Sequence, residues 1–75
     1  MWQQNGNRLT LSADFLQSIG DIVFFEAFPG TYKKGDVIGL VESAKTAVDL
    51  EMPFDGEITK VEGYEIILKE VVNNV

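Results

Sequence analysis

The chain contains neither cysteine nor histidine. Without cysteine there is no disulfide, no thiolate metal site and no cysteine nucleophile, and thiol usage gives no indication of redox compartment. Without histidine the commonest general base and the commonest imidazole ligand are missing, so neither a Ser-His-Asp triad nor a histidine zinc site can be assembled from this chain alone. A self-contained hydrolase is therefore not expected. Positive charge is also scarce: six basic residues face twelve acidic ones, for a net charge of −6. That balance repels phosphate backbones and anionic lipid surfaces, so neither nucleic acid nor a membrane is an expected partner. No apolar run approaches the length of a membrane span. The stretch Met1-Trp2-Gln3-Gln4-Asn5-Gly6-Asn7 lacks the basic segment and hydrophobic core of a signal peptide. A cytoplasmic protein is expected. The 75 residues are read as one domain, 1–75. A chain this short buries only about 60% of the surface its unfolded form exposes, which leaves no room for a deep substrate pocket.

What is present reads as short strands broken by glycine and proline. Asn5-Gly6 is a hairpin signal of the type I′ kind, in which both central residues take positive φ, and it would join 2–4 to 8–11. Ser12 can cap a helix that Asp14 supports in its first turn and Gly20 closes in the left-handed conformation; Phe15, Leu16 and Ile19 share one face of it. Residues 21–28 are rich in branched and aromatic side chains and stop at Pro29-Gly30, which predicts a strand. Its alternation would set Ile22, Phe24 and Phe28 against Val23, Phe25 and Ala27. Thr31 to Asp36 is a polar connection whose Lys33-Lys34 pair reads as a solvated loop. Strands follow at 37–42 and 47–52, then a turn at Pro53-Phe54-Asp55-Gly56, a strand at 57–61, a break at Glu62-Gly63 and a closing strand at 64–71 with Ile66 and Leu68 inward. Residues 72–75 are expected to fray. Seven short strands and one small helix predict an all-β domain, a small flattened barrel or barrel-sandwich hybrid.

Lys45 is the residue with the most chemical meaning. It lies in the four-residue turn Ser43–Thr46 between two strands. The second of these alternates cleanly, with Val48, Leu50 and Met52 on one face and Asp49 and Glu51 on the other. A lysine at a hairpin tip is a handle for covalent attachment, and equally an ordinary surface lysine in a turn. Its sequence neighbours Glu42 and Asp49 favour the charged ammonium, so any acylation must be performed by another protein that reads the hairpin and its acidic surroundings. Asp49, Glu51, Asp55 and Glu57 are oxygen donors of the kind a hard cation takes, although alternating carboxylates on a strand are ordinarily just solvated.

Four segments occur in one register: Gly20-Asp21-Ile22-Val23-Phe24, Lys33-Lys34-Gly35-Asp36, Val41-Glu42-Ser43-Ala44-Lys45, and Asp49-Leu50 through Pro53-Phe54-Asp55-Gly56-Glu57. From about Leu9 to Lys69 the chain resembles the H proteins of the glycine cleavage system, members of the biotinyl/lipoyl-attachment family. The resemblance implies a lipoyl-domain-like fold with lipoate in amide linkage on Lys45, and a non-catalytic carrier rather than an enzyme. It further implies that the enzyme attaching the group recognises Glu42, Ser43, Ala44, Thr46, Asp49 and Gly56. Implied partners are a lipoate ligase or lipoyl transferase, and glycine cleavage components or another lipoyl-dependent system. Family members carry a helical stretch before the closing strand where this chain has only Glu62-Gly63, and an alanine at the position of Thr46. Biotin carriers share the fold but typically flank their lysine with methionine. Here the flanks are Ala44 and Thr46, which favours lipoate. An unmodified protein-interaction module is the other reading the sequence allows.

Overall fold

In the computed structural model, which describes residues 1–70, eight strands and one helix follow each other along the chain. They are β1 (Trp2–Asn5), β2 (Arg8–Leu11), α1 (Ala13–Ile19), β3 (Ile22–Ala27), β4 (Gly30–Tyr32), β5 (Val37–Ser43), β6 (Ala47–Glu51), β7 (Gly56–Glu62) and β8 (Glu65–Leu68). Two antiparallel sheets result, one of five strands in the order β1-β2-β8-β7-β4 and one of three in the order β3-β5-β6. The all-β class with one short helix is as expected. It takes the sandwich form, since among the described residues each sheet keeps open edges and neither closes into a barrel. The expectation for residues 72–75 lies outside the described residues.

The core fills the space between the sheets. Leu9, Leu11, Ile58, Ile66 and Leu68 enter from the larger sheet, Ile38, Val41 and Leu50 from the smaller, with Met52 just beyond β6 and Ile19 from α1; all are buried. Each such side chain contributes about 1.5–3 kcal/mol of transfer free energy. Met52, Ile66 and Leu68 sit inside as expected. Trp2 ties the sheets together from the opposite direction: its β1 belongs to the larger sheet, and its indole Nε1 donates to the Glu51 carbonyl at the edge of β6, 2.9 Å away.

Local chemistry explains where the elements start and stop. Ser12 caps α1, its hydroxyl accepting from the Phe15 amide at 3.3 Å, and the Gly20 amide closes the helix on the Leu16 carbonyl at 3.0 Å. Gly20 has φ 79° and ψ −154°. The positive φ is as expected, but the ψ lies outside the left-handed helical well, in an extended region essentially reserved for glycine. Phe15 and Ile19 face inward, whereas Leu16 is 37% exposed on the rim and does not share their face as expected.

Four expectations are corrected. The first hairpin pairs Asn5 with Arg8, so its central residues are Gly6 and Asn7 and only Gly6 has positive φ. That is the pattern of a type II′ turn, with glycine first, rather than of type I′. Gly63-Tyr64 repeats it between β7 and β8, where Glu62 pairs with Glu65. Second, residues 31–36 are not all connection, because Gly30–Tyr32 pairs with Ile58–Gly56 as an eighth strand. Third, β3 does not alternate along its length: a bulge between Ile22 and Phe24 leaves Val23 and Phe24 both outside, 67% and 43% exposed, and turns Ile22, Phe25 and Ala27 onto the core. A bulge inserts one residue and so resets the two-residue period. Fourth, the closing strand is shorter than expected and ends at Leu68.

Candidate functional site

The β5–β6 hairpin carries Lys45 at its tip. Glu42 pairs with Ala47 at the foot of the turn, and the Ser43 amide donates to the Thr46 carbonyl at 2.8 Å to close it. The Ser43 hydroxyl then accepts from the Lys45 and Thr46 amides, 3.2 Å each, and lies 3.4 Å from the Thr46 carbonyl. A serine side chain can serve in this way because its oxygen takes the place of a backbone acceptor in a turn. Ala44, Lys45 and Thr46 are exposed, and the Lys45 amine makes no hydrogen bond or ion pair with the described residues. The backbone under the lysine is thus restrained while its side chain is left accessible.

The implied recognition residues divide into two groups. Glu42, Ser43, Ala44 and Thr46 lie on the tip or directly below it, and Asp49 is exposed on β6 opposite Leu40 of β5. Gly56 is placed elsewhere: it opens β7 in the other sheet and pairs with Tyr32. A side chain there would start 3.5 Å from the Met52 methyl and 3.7 Å from the Phe54 ring, so Gly56 lies against the core and its border rather than beside the amine.

Sequence reasoning did not find the groove beside the tip. Leu16, Gln17 and Gly20 from the helix end, Asp21, Ile22, and Tyr64 from the β7–β8 turn line an open depression of about 560 Å³. The Tyr64 ring meets Phe25 with centroids 5.2 Å apart. Gly20 joins this groove to the hairpin, since a Cβ added there would lie 3.9 Å from Lys45 Cε. Helix and hairpin are far apart along the chain, and only the glycine needed at the helix end signals that something passes close. A second open depression, of about 450 Å³, lies at Trp2, Lys34, Val48 and Pro53. No three potential metal ligands cluster among the described residues, so Asp49, Glu51, Asp55 and Glu57 do not converge on a cation.

Taken together, fold and site define a small two-sheet β domain that holds one accessible lysine on a restrained hairpin tip. Comparison with curated proteins finds chains of one kind that it resembles. The chain is 42% identical over 73 residues to the glycine cleavage system H protein of Salinibacter ruber, covering 93% of this chain and 59% of that protein. It is 42% identical over 74 residues to the H protein of Methylobacillus flagellatus, covering 95% and 60%, and 51% identical over 63 residues to that of Chlorobium limicola, covering 80% and 49%. No family model matches the chain. The chain is related to the glycine cleavage system H proteins and spans at most 60% of the length of these three relatives.

Proposed function

We propose that the chain is a lipoyl carrier of the glycine cleavage H-protein kind, with Lys45 as the attachment point. The observation that carries this reading is an exposed amine with no partner among the described residues, above a turn whose backbone is held by Ser43. The site fits such a group. An amide to Lys45 removes no ion pair or hydrogen bond from the described residues, and the exposed tip leaves a long arm free to swing. Once attached, a dithiolane supplies acyl, aminomethyl or electron-accepting chemistry that the chain lacks.

The chain's own part is presentation. Lys45 Nζ, deprotonated by a base of the attaching enzyme, forms the amide bond to an activated lipoyl carboxyl as the activating group departs with its electron pair. Glu42, Ser43, Ala44, Thr46 and Asp49 are the residues that a lipoate ligase or lipoyl transferase meets around the amine, and Gly56 acts indirectly by shaping the neighbouring sheet. A stiff base under a mobile arm limits the entropy lost on docking and raises the local concentration of the arm's end at each partner enzyme. Glycine cleavage components or another lipoyl-dependent system are those partners.

Intact-mass analysis after incubation with a lipoate ligase, lipoate and ATP tests the reading. One lipoyl increment on the wild-type chain, absent from Lys45→Ala, is the expected result. An unmodified wild-type chain, or an increment that persists in Lys45→Ala, overturns it.

A further inference from the structure

The outer face of the three-stranded sheet has an unusual composition. β3, β5 and β6 contain four acidic residues, Glu26, Glu42, Asp49 and Glu51, and no basic one. Because Phe25, Ala27, Val41, Val48 and Leu50 point to the core, the two-residue period puts these four carboxylates on the opposite face. Apolar side chains stand among them: Phe24, Phe28 and Val37 are 43%, 52% and 56% exposed, and Leu40 is half-buried yet not packed on the core. The registers interleave the two kinds. Phe24, Glu42 and Ala47 form one cross-strand row; Glu26, Leu40 and Asp49 form the next; Val37 sits opposite Glu51.

The other sheet is different. Its strands and the residue just past β8 hold all three ion pairs of the described residues: Arg8 with Glu65, Lys60 with Glu62 and Lys69 with Glu57. None of the four carboxylates on the smaller sheet has an ion-pair or hydrogen-bond partner among the described residues. Charge on one sheet is internally matched, and on the other it is left open next to exposed aromatic surface.

We infer that this face, from Phe28 and Val37 up to the Lys45 tip, is the docking surface for a protein that offers an apolar centre ringed by Lys and Arg. The inference rests on the carrier reading for the identity of that protein, the enzyme that acylates Lys45. Charge complementarity selects the occupant. Two copies of this chain would bring four carboxylates against four, whereas a basic rim on the partner neutralises them and steers encounter. Three strands about 4.8 Å apart and five residues long at about 3.3 Å each cover only about 240 Å², so this face supplies part of the contact and the hairpin tip around Lys45 supplies more of it.

The test uses the full chain and a purified lipoate ligase. Binding is measured by titration with Lys45→Ala, so that no acyl transfer intervenes. Further variants add Glu26→Lys with Asp49→Lys, Phe24→Ser with Phe28→Ser, or the control Glu62→Lys with Glu65→Lys, which changes net charge equally on the other sheet. Circular dichroism verifies that every variant folds, the control included, since it breaks the Arg8–Glu65 and Lys60–Glu62 ion pairs. The acidic-face pair should weaken binding about tenfold at low salt, with the difference shrinking as salt is raised. The aromatic pair should weaken it about fivefold or more at any salt, and the control should leave it within about twofold. Undetectable binding without either pair, equal loss in the control, or wild-type affinity in both face variants overturns the proposal. So does a salt-insensitive dimer of the chain that the aromatic pair dissolves. A wild-type chain that docks through this face but is never acylated sinks the carrier reading and leaves the docking surface standing.

Discussion

Replacing Gly39 by alanine should separate β3 from the rest of its sheet. Gly39 lies in β5, paired with Ala27 on one side and Leu50 on the other. A methyl group built on it would overlap the Glu26 carbonyl oxygen and sit 2.7 Å from Ala27 Cα and 2.8 Å from the Glu26 carbonyl carbon. All three obstacles are backbone, so no rotamer change relieves the overlap and the strand itself must retreat. Adding a methylene to a packed core costs about 1–3 kcal/mol when side chains can yield. Here nearby strand-pairing hydrogen bonds also stretch, at about 1 kcal/mol each. A loss of about 3 kcal/mol follows, a large fraction of the roughly 5–15 kcal/mol that stabilises a typical domain. For a domain of this size the melting temperature should fall by roughly 10–20 °C. Urea denaturation measures the free energy, and amide exchange at Phe24 to Phe28 shows whether β3 is where order is lost. A change under about 1 kcal/mol with unaltered β3 exchange would refute the steric argument.

Two smaller perturbations test the supports of the site and of the sheet pair. Ser43→Ala removes the acceptor shared by the Lys45 and Thr46 amides; their exchange should speed up about fivefold while global stability falls by about 1 kcal/mol or less. Unchanged exchange at both amides would show that the backbone closure from Ser43 to Thr46 holds the tip unaided. Trp2→Phe keeps an aromatic ring but loses the donor to the Glu51 carbonyl, and should cost about 1 kcal/mol in denaturation followed by circular dichroism.

Much of this architecture is legible because its signals are local. Val48, Leu50 and Met52 alternate with Asp49 and Glu51 without interruption, and the structure keeps that division throughout β6. The helix announces itself through Ser12, Asp14 and Gly20, all within nine positions. What was not legible depends on pairing. Gly30-Thr31-Tyr32 is too short to show a period and is a strand only because β7 supplies a partner. The bulge at Val23 reverses the parity of β3, so a strict count of alternate residues puts Ile22 and Phe25 on opposite faces although both turn to the core. At the site, the turn around Lys45 can be read from sequence, but the approach of Gly20 to its side chain and the remoteness of Gly56 from the tip are products of the sheet topology.

The bond from the Trp2 indole to the Glu51 carbonyl also equips the molecule with an optical gauge. Trp2 is the chain's single tryptophan, and it spans the seam where the two sheets meet. Any event that parts them wets the ring and frees its N–H, so a red shift in emission reports that opening without an added label.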